Sequence, residues 1–307
     1  MNNNELPVEK SEVLFLYEST YSVPNGDPFT GEQRYDEETK KILVSDVRIK
    51  RFVRDYFYET GEDIFVRNDR STVSASEKGG AESGAAARFN TLEKAQPKAS
   101  AQELLTGLID VRLFGGISTK KGDAINLAGP VQFALLNPSL NAVDLRMHQN
   151  TSVFASSTEK TRGAIGTTTI VPYALNQIHG WINPYSARHT NLTLEDIQLM
   201  FQALWNSVNN ANTRTKSNQA SLLLLQVVYT DPTKKLYGLD RAIRLTPAAD
   251  KREEQIRNRG DYALDYAALQ TLVESPFVQQ VRYHTEDKVT EQELQNMTKF
   301  VALTLGT

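Results

Sequence analysis

Four basic side chains fall within seven positions in Arg48-Ile-Lys-Arg-Phe-Val-Arg54. If this stretch winds as a helix from Ser45 to Tyr56, at about 100° per residue, Ile49, Phe52, Val53, Tyr56 and Phe57 share one side. Lys50, Arg51 and Arg54 then share the other, and Arg48 flanks them. Cations three and four positions apart stand about 5–6 Å from one another at the Cβ level, a spacing comparable to that of successive phosphates on one nucleic-acid strand. Such a face would hold a sugar-phosphate backbone by charge and read no base edges. Ser45 occupies the N-cap position with Asp46 in the first turn, so the Ser45 hydroxyl and the first-turn N–H groups are a candidate anion site. Arg214 and Lys216, in the polar turn Asn212-Thr-Arg-Thr-Lys-Ser-Asn218, add two further cations.

A helix of this kind standing alone is explained well enough by a solvated basic face. Context favours the functional interpretation. A strand-like run, Val13 to Tyr17, precedes the helix, and the loop between them, Tyr21-Ser-Val-Pro-Asn-Gly-Asp-Pro28 onward, is long for a plain connector.

The 307 residues are enough for one large domain or two modest ones, and 40% hydrophobic with 23% charged residues is ordinary for a soluble globular chain. A net charge of −3 means that local basic clusters, not the whole molecule, must carry any nucleic-acid binding. Acids gather at Asp36 to Glu38 and Lys251 to Glu254, away from the basic helix. The absence of cysteine excludes disulfides, thiolate metal sites and a cysteine nucleophile. The four histidines are scattered and match no metal-ligand spacing, so neither metal nor cofactor is expected. Met-Asn-Asn-Asn-Glu-Leu-Pro at the start lacks a signal pattern, and the longest apolar run, from Leu222 through Val228, is too short to span a bilayer. The chain reads as soluble and cytoplasmic, with no membrane partner.

Strand character is read at Glu12 to Tyr17, more weakly at Asp63 to Arg67, at Gly129 to Leu136, at Ile170 to Leu175 and at Leu222 to Thr230. The clearest helix starts at a Thr193 cap with Asp196 in the reciprocal position; Leu194, Ile197, Met200, Phe201, Leu204, Trp205 and Val208 form its apolar stripe. Gln102 to Ile109 reads as helical. Asn68 to about Ala101 is rich in Ser, Ala, Gly, Glu and Lys and cannot form a core alone, which suggests a mobile insertion or a small lobe that orders on binding. Asn137 to Thr169, with Arg146, Lys160 and Arg162, is a second long excursion. The order is βαββαβ, that of an α+β ferredoxin-like or RNA-recognition-motif fold. Beyond Asp231 the sequence suggests an apolar helical stretch from Tyr262 to Val273, a strand at Val278 to Tyr283 and a last helix capped at Thr290, without placing them. The aromatic consensus of base-stacking RNA-recognition sheets is absent, and backbone capture fits better than base readout.

The motifs Pro24-Asn-Gly-Asp-Pro28, Val44 to Tyr56, Asp110-Val-Arg-Leu-Phe-Gly115, Gly129-Pro-Val-Gln-Phe133, Asn150 to Ser156 and the Leu192 to Tyr229 block occur in an order and spacing that resembles the backbone subunit of type I CRISPR surveillance complexes (Cascade), nearest subtype I-B. That family belongs to the repeat-associated superfamily of RNA-recognition-fold proteins, and the likeness covers roughly residues 12 to 230. It implies a palm (1–67, 107–136 and 170–307), a finger insertion (68–106) and a thumb loop (137–169). It also implies several copies stacked along the spacer of a crRNA, target DNA pairing with the exposed guide bases, and contacts with a large subunit and repeat-end-binding subunits. RNA-binding roles follow for Asn25, Ser45, Arg48, Lys50, Arg51, Arg54, Arg162, Arg214 and Lys216. Relatives often carry Thr-Arg-Ser-Lys in the last turn; Thr213-Arg-Thr-Lys216 keeps both charges.

Two other interpretations stay open at this level. Distantly related backbone subunits cut RNA with an aspartate in the loop after the first strand, and Asp27 would make this chain a metal-dependent RNA endonuclease. The same Asn25-Gly-Asp-Pro28 reads equally as turn chemistry. A self-associating structural protein without nucleic acid is the third interpretation, and it leaves the basic helix face unexplained.

Overall fold

A computed structural model of the chain describes residues 6–67, 85–118, 124–151 and 165–306. Its centre is β1 (Ser11–Ser22), followed by α1 (Asp46–Glu59), β2 (Val131–Phe133), β3 (Ile165–Ile182), α2 (Leu194–Asn209), β4 (Gln219–Tyr229), β5 (Val278–His284) and β6 (Phe300–Ala302). Side by side they run β6-β5-β4-β1-β3-β2, and only the β5–β6 pair is parallel. Within the first four strands the order is therefore fourth, first, third, second, with one helix crossing over after β1 and another after β3.

Side chains alternate across a strand, and β1 shows it. Val13, Phe15 and Tyr17 face α1 and α2, in a core with Ile49, Phe52, Val53, Phe57, Ile197, Met200, Phe201, Leu204 and Trp205. Leu14 and Leu16 face the opposite side, where Leu239, Ile243, Ile256, Leu264 and Leu269 pack against Leu223, Leu225 and Val227 of β4. A strand covered on both faces reads as a nearly continuous apolar run, which is why Glu12 to Tyr17 showed no clean alternation.

Residues 231–306 thus receive a place that the sequence did not provide. They blanket the second face of the sheet and extend its edge with β5 and β6. The last helix, Lys288–Leu294, is capped by Asp287, whose carboxylate accepts from the Thr290 N–H (3.0 Å) and hydroxyl (2.7 Å), and not by Thr290 itself. The helix begins one turn earlier, and the Thr290 hydroxyl is spent as a donor to the capping carboxylate. The expected helix from Tyr262 divides into a strand, Tyr262–Asp265, and a helix, Ala267–Val273.

Around α2 the capping box is present: the Thr193 hydroxyl accepts from Asp196 N–H and the Asp196 carboxylate from Thr193 N–H. Arg112 holds the same carboxylate through two bonds of 2.9 and 2.7 Å. Leu194 leaves the expected stripe and is 56% exposed, because it sits in the first turn, beyond the reach of the core.

Residues 63–67 form no strand; their backbone is tied elsewhere, as described below. Ala85–Ala95 and Ala101–Thr106 are helices that share a small core of their own with Phe65, Val111 and Leu127, so part of the low-complexity stretch is a packed lobe. Residues 137–145, expected in the thumb loop, run along the body with alternate side chains buried: Asn137, Ser139, Asn141 and Val143 are each at most 2% exposed. Only Arg146–Thr151, paired with the start of β3, leaves it as a ribbon. Lys120, Lys121, Lys160 and Arg162 lie outside the described residues, and no described helix is long and apolar enough to cross a membrane.

Candidate nucleic-acid interface

The N-terminus of α1 is closed from within. Asn25, 6% exposed, accepts from both the Ser45 N–H (2.6 Å) and the Ser45 hydroxyl (2.8 Å), while the Ser45 oxygen accepts from Arg48 N–H at 3.4 Å. Asn25 is held in turn by its own N–H on Gln33 Oε1 (2.9 Å), and Asp46 N–H donates to the Leu135 carbonyl (3.3 Å). The expected anion site at these donors is therefore corrected. A hydroxyl has one proton, Asn25 takes it, and the Asp46 carboxylate adds negative charge to the first turn. Asn25 and Ser45 act as a clasp that fixes the β1–α1 loop on the helix.

The cationic face is also not uniformly free. Lys50, 14% exposed at its side chain, lies 3.2 Å from Asp46 Oδ2 and donates to Gln132 Oε1 at 3.2 Å. Arg51 pairs with Asp55 one turn on (2.6 Å) at the surface. Arg54 donates through Nε to Asp110 Oδ2 at 3.0 Å. Asp110 is fully buried, and its carboxylate also accepts from the N–H groups of Phe65 (2.7 Å) and Val66 (3.1 Å). That is where the backbone of 63–67 finds its partners in place of a strand ladder. Arg54 is thus the counter-charge of a structural carboxylate. Lys50 and Arg54 further flank the Phe114 ring, at 5.8 and 5.3 Å from its centre.

Two cations differ. The Arg48 guanidinium lies over the Phe52 ring, 3.8 Å from its centre, and its Nε is buried without a hydrogen-bond partner. Lys216 points into the same corner and donates to the Val23 carbonyl. Neither forms an ion pair with a described carboxylate. Burial holds the Arg48 guanidinium below its ordinary range, and burial together with the Arg48 charge presses the Lys216 ammonium down to about 8. Tyr17 completes the corner; its hydroxyl is buried without a partner, and burial pushes its ionisation up. Two crowded cations and an unused hydroxyl donor stand together at the end of β1 where the strand gives way to the loop.

The turn carrying Lys216 is stitched to that strand end, since Thr20 N–H donates to Asn218 O (2.9 Å) and Val23 N–H to Thr215 O (2.8 Å). Arg214 is exposed and lines a cleft of about 240 Å³ with Tyr21, Ser22, His148, Thr168 and Ile170, at the root of the ribbon formed by 146–151 and β3. Arg48, Lys216 and Arg214 thus surround one strand end. Lys50, Arg51 and Arg54 run away from it along α1.

The family model for CRISPR-associated protein Cas7 matches residues 9–267. The chain belongs to the Cas7 family. A CRISPR-associated protein Cas7 of Haloferax volcanii is 27% identical over 289 residues, covering 85% of this chain and 82% of that protein. Among solved structures, a chain of a CRISPR RNA-guided surveillance complex superposes with a TM-score of 0.51 at 13% identity, covering 91% of this chain and 90% of that one. A chain of such a complex in a pre-nicking state gives 0.50 at 13% identity, covering 91% and 93%. At that identity the likeness is one of fold.

In this Cas7-family chain Asp27 performs turn chemistry. Its carboxylate accepts from Phe29 N–H (2.9 Å) and Thr30 N–H (3.3 Å) and meets Arg34 at 3.3 Å. The Phe29 N–H, first among these, holds its ionisation below the usual carboxylate range. No group of three or more His, Asp or Glu is arranged for a metal among the described residues. Sequence reasoning missed Tyr17, Gln33 and Asp110. Tyr17 looked like one more apolar residue of a strand, and Asp110 carried no local signal that it would be the buried partner of Arg54.

Proposed function

We propose that this Cas7-family protein is the non-catalytic guide-binding backbone subunit of a type I surveillance complex, of the I-B kind, acting in the cytoplasm. Copies stack along the crRNA spacer, hold its backbone by charge and leave its bases to pair with target DNA, alongside the large subunit and the repeat-end-binding subunits. In this reading β1–α1–β2–β3–α2–β4 is the RNA-recognition-like palm, residues 68–106 supply the finger and residues 146–169 the thumb. Arg48, Lys216 and Arg214 hold phosphates, with Arg51 and Lys50 along the same helix and Arg162 as the thumb's candidate.

The carrying observation is the Arg48–Lys216 pair. Two cations pressed together without a carboxylate partner are costly, and an anion such as a phosphate relieves both the repulsion and the lost hydration. A second fact supports backbone capture. The sheet face on which RNA-recognition domains stack bases is covered by residues 231–306.

The test is RNA retention by Arg48→Ala/Lys216→Ala across salt concentrations. Each lost phosphate contact on a single strand lowers the slope of log K against log salt by about 0.7. The double variant should lose about 1.4 of slope and most of its affinity. Unchanged slope and affinity would remove the assignment.

A further inference from the structure

One short segment of the C-terminal cover, Lys234-Lys-Leu-Tyr-Gly-Leu-Asp-Arg-Ala-Ile-Arg244, holds four cations and one acid in a chain whose net charge is −3. The guide assignment leaves it without a role. Its apolar members anchor it, since Leu236, Leu239, Ala242 and Ile243 are buried against the sheet. Leu236 N–H donates to the Tyr229 hydroxyl (3.0 Å), Gly238 turns the chain at φ +85°, and the Asp240 carbonyl accepts from Gln177 (2.6 Å). With that side spent on packing, Lys234, Lys235, Arg241 and Arg244 are displayed to solvent. Among the described residues Lys234, Lys235 and Arg244 form no ion pair, and Arg241 meets only its neighbour Asp240, at 3.9 Å.

Three of these cations stand beside aromatic rings. Lys234 lies 5.5 Å from the centre of Phe277, Lys235 5.5 Å from that of Trp181 and Arg241 5.0 Å from that of Tyr237. Tyr237, 83% exposed, and Trp181 line a cleft of about 860 Å³ where the cover leaves this end of the sheet open. Across β1 and β3, Trp181 pairs with Glu12 and His179 with Leu14, so both rings stand on the Leu14–Leu16 face, opposite the one that carries α1. Their centres are 4.4 Å apart. The acid in this floor, Glu12, is spent on His179 (2.8 Å) and the Tyr229 hydroxyl (2.6 Å). On the other wall Lys41 has Glu37 and Glu38 in its own turn, so the positive side of the cleft is the one built by 234–244.

Unpaired cations set among exposed rings suit a single-stranded nucleic acid: the charges follow its phosphates, and the rings stack on bases that a duplex would hide. We infer that the Trp181–Tyr237 cleft and the basic segment 234–244 bind a second single strand, separate from the guide on the α1 face. An acidic peptide would satisfy the cations but leave the two rings without flat partners. The site uses neither Arg48 nor Lys216, so it stands or falls apart from the guide assignment.

The chain has two tryptophans, and Trp205 is buried in the helix core. RNA-loaded protein is titrated with a non-complementary oligonucleotide of about twelve nucleotides, as RNA and as DNA in separate arms. Binding should quench tryptophan emission, and Trp181→Phe should remove the quenching. Tyr237→Ala should weaken binding of the second strand about tenfold. Lys235→Ala/Arg241→Ala should lower its salt slope by about 1.4. These side chains are exposed, so thermal unfolding and guide retention should match the parent protein. Tighter binding in one arm names the strand as RNA or DNA, and either result supports the site. No binding of a second strand, binding unchanged in the variants, equal binding of a duplex, or displacement by polyglutamate as readily as by the oligonucleotide would each overturn it. Arg48→Ala/Lys216→Ala should show the reverse pattern, losing the guide and keeping the second strand. If the parent retains no RNA, the guide assignment fails, and the same titration on the free protein still tests this site.

Discussion

The ionisation of Lys216 gives a pH signature to RNA binding. A phosphate beside the ammonium favours its charged form, so the bound value lies above the free value of about 8. RNA binding then takes up a proton at pH above 8, and affinity should fall as pH rises through about 8, earlier than an ordinary lysine at 10.5 would allow. Lys216→Arg should flatten the profile in filter binding. In the free protein the sign is opposite. Between about 8 and 10.5 the unfolded chain binds more protons than the folded one, so this residue makes stability rise with pH there. Tyr17→Phe should leave stability unchanged or raise it by about 1 kcal/mol, since the fully buried hydroxyl has no partner to lose, and should leave the salt slope of RNA binding unchanged. Thermal unfolding and filter binding on the same protein separate the two effects. Arg54→Ala strands the buried Asp110 carboxylate and should cost about 3 kcal/mol in chemical denaturation. Arg51→Ala, at an exposed pair, should cost less than about 0.5 kcal/mol. An alanine scan of the helix face that ignored this difference would mistake unfolding for lost binding.

At the level of elements, α1 depends on a clasp and not on propensity alone. Asn25→Ala leaves two donors of Ser45 without their acceptor and should destabilise by roughly 1–3 kcal/mol. Because no charge is removed, RNA affinity should drop with the salt slope unchanged, which distinguishes a displaced loop from a lost phosphate contact. Much of α1 and α2 was legible in the chain. The Ser45 and Thr193 caps, the apolar side of Ile49, Phe52, Val53 and Phe57, and the stripe from Ile197 to Val208 all follow from local spacing. The limits of the ribbon were not. Residues 137–145 lack periodicity because Asn137, Ser139 and Asn141 are buried by hydrogen bonds with distant backbone, and buried polar residues read as loop in sequence.

For the whole molecule, the sheet is a layer covered on both sides, and the far side is closed by the C-terminal quarter of the chain. Ile256→Ala, at a fully buried position in that cover, should cost about 2–5 kcal/mol while leaving the salt slope of RNA binding intact. A chain ending at Asp231 would bare Leu14, Leu16, Leu223 and Leu225 and should aggregate on expression, as sedimentation would show.

Local order was determined by the sequence itself: which segments coil or extend, where the first helices start, and that positive charge gathers on the first helix. These depend on neighbours within a few residues. Which of those charges remain unpaired was decided only by tertiary structure. Arg54 is taken by Asp110 and Lys50 reaches Gln132, while Arg48 meets Lys216 and Tyr17 from remote parts of the chain. Coulomb energy and desolvation act through space, so the availability of a cation is a property of the folded corner in which it lies and not of the run in which it is written.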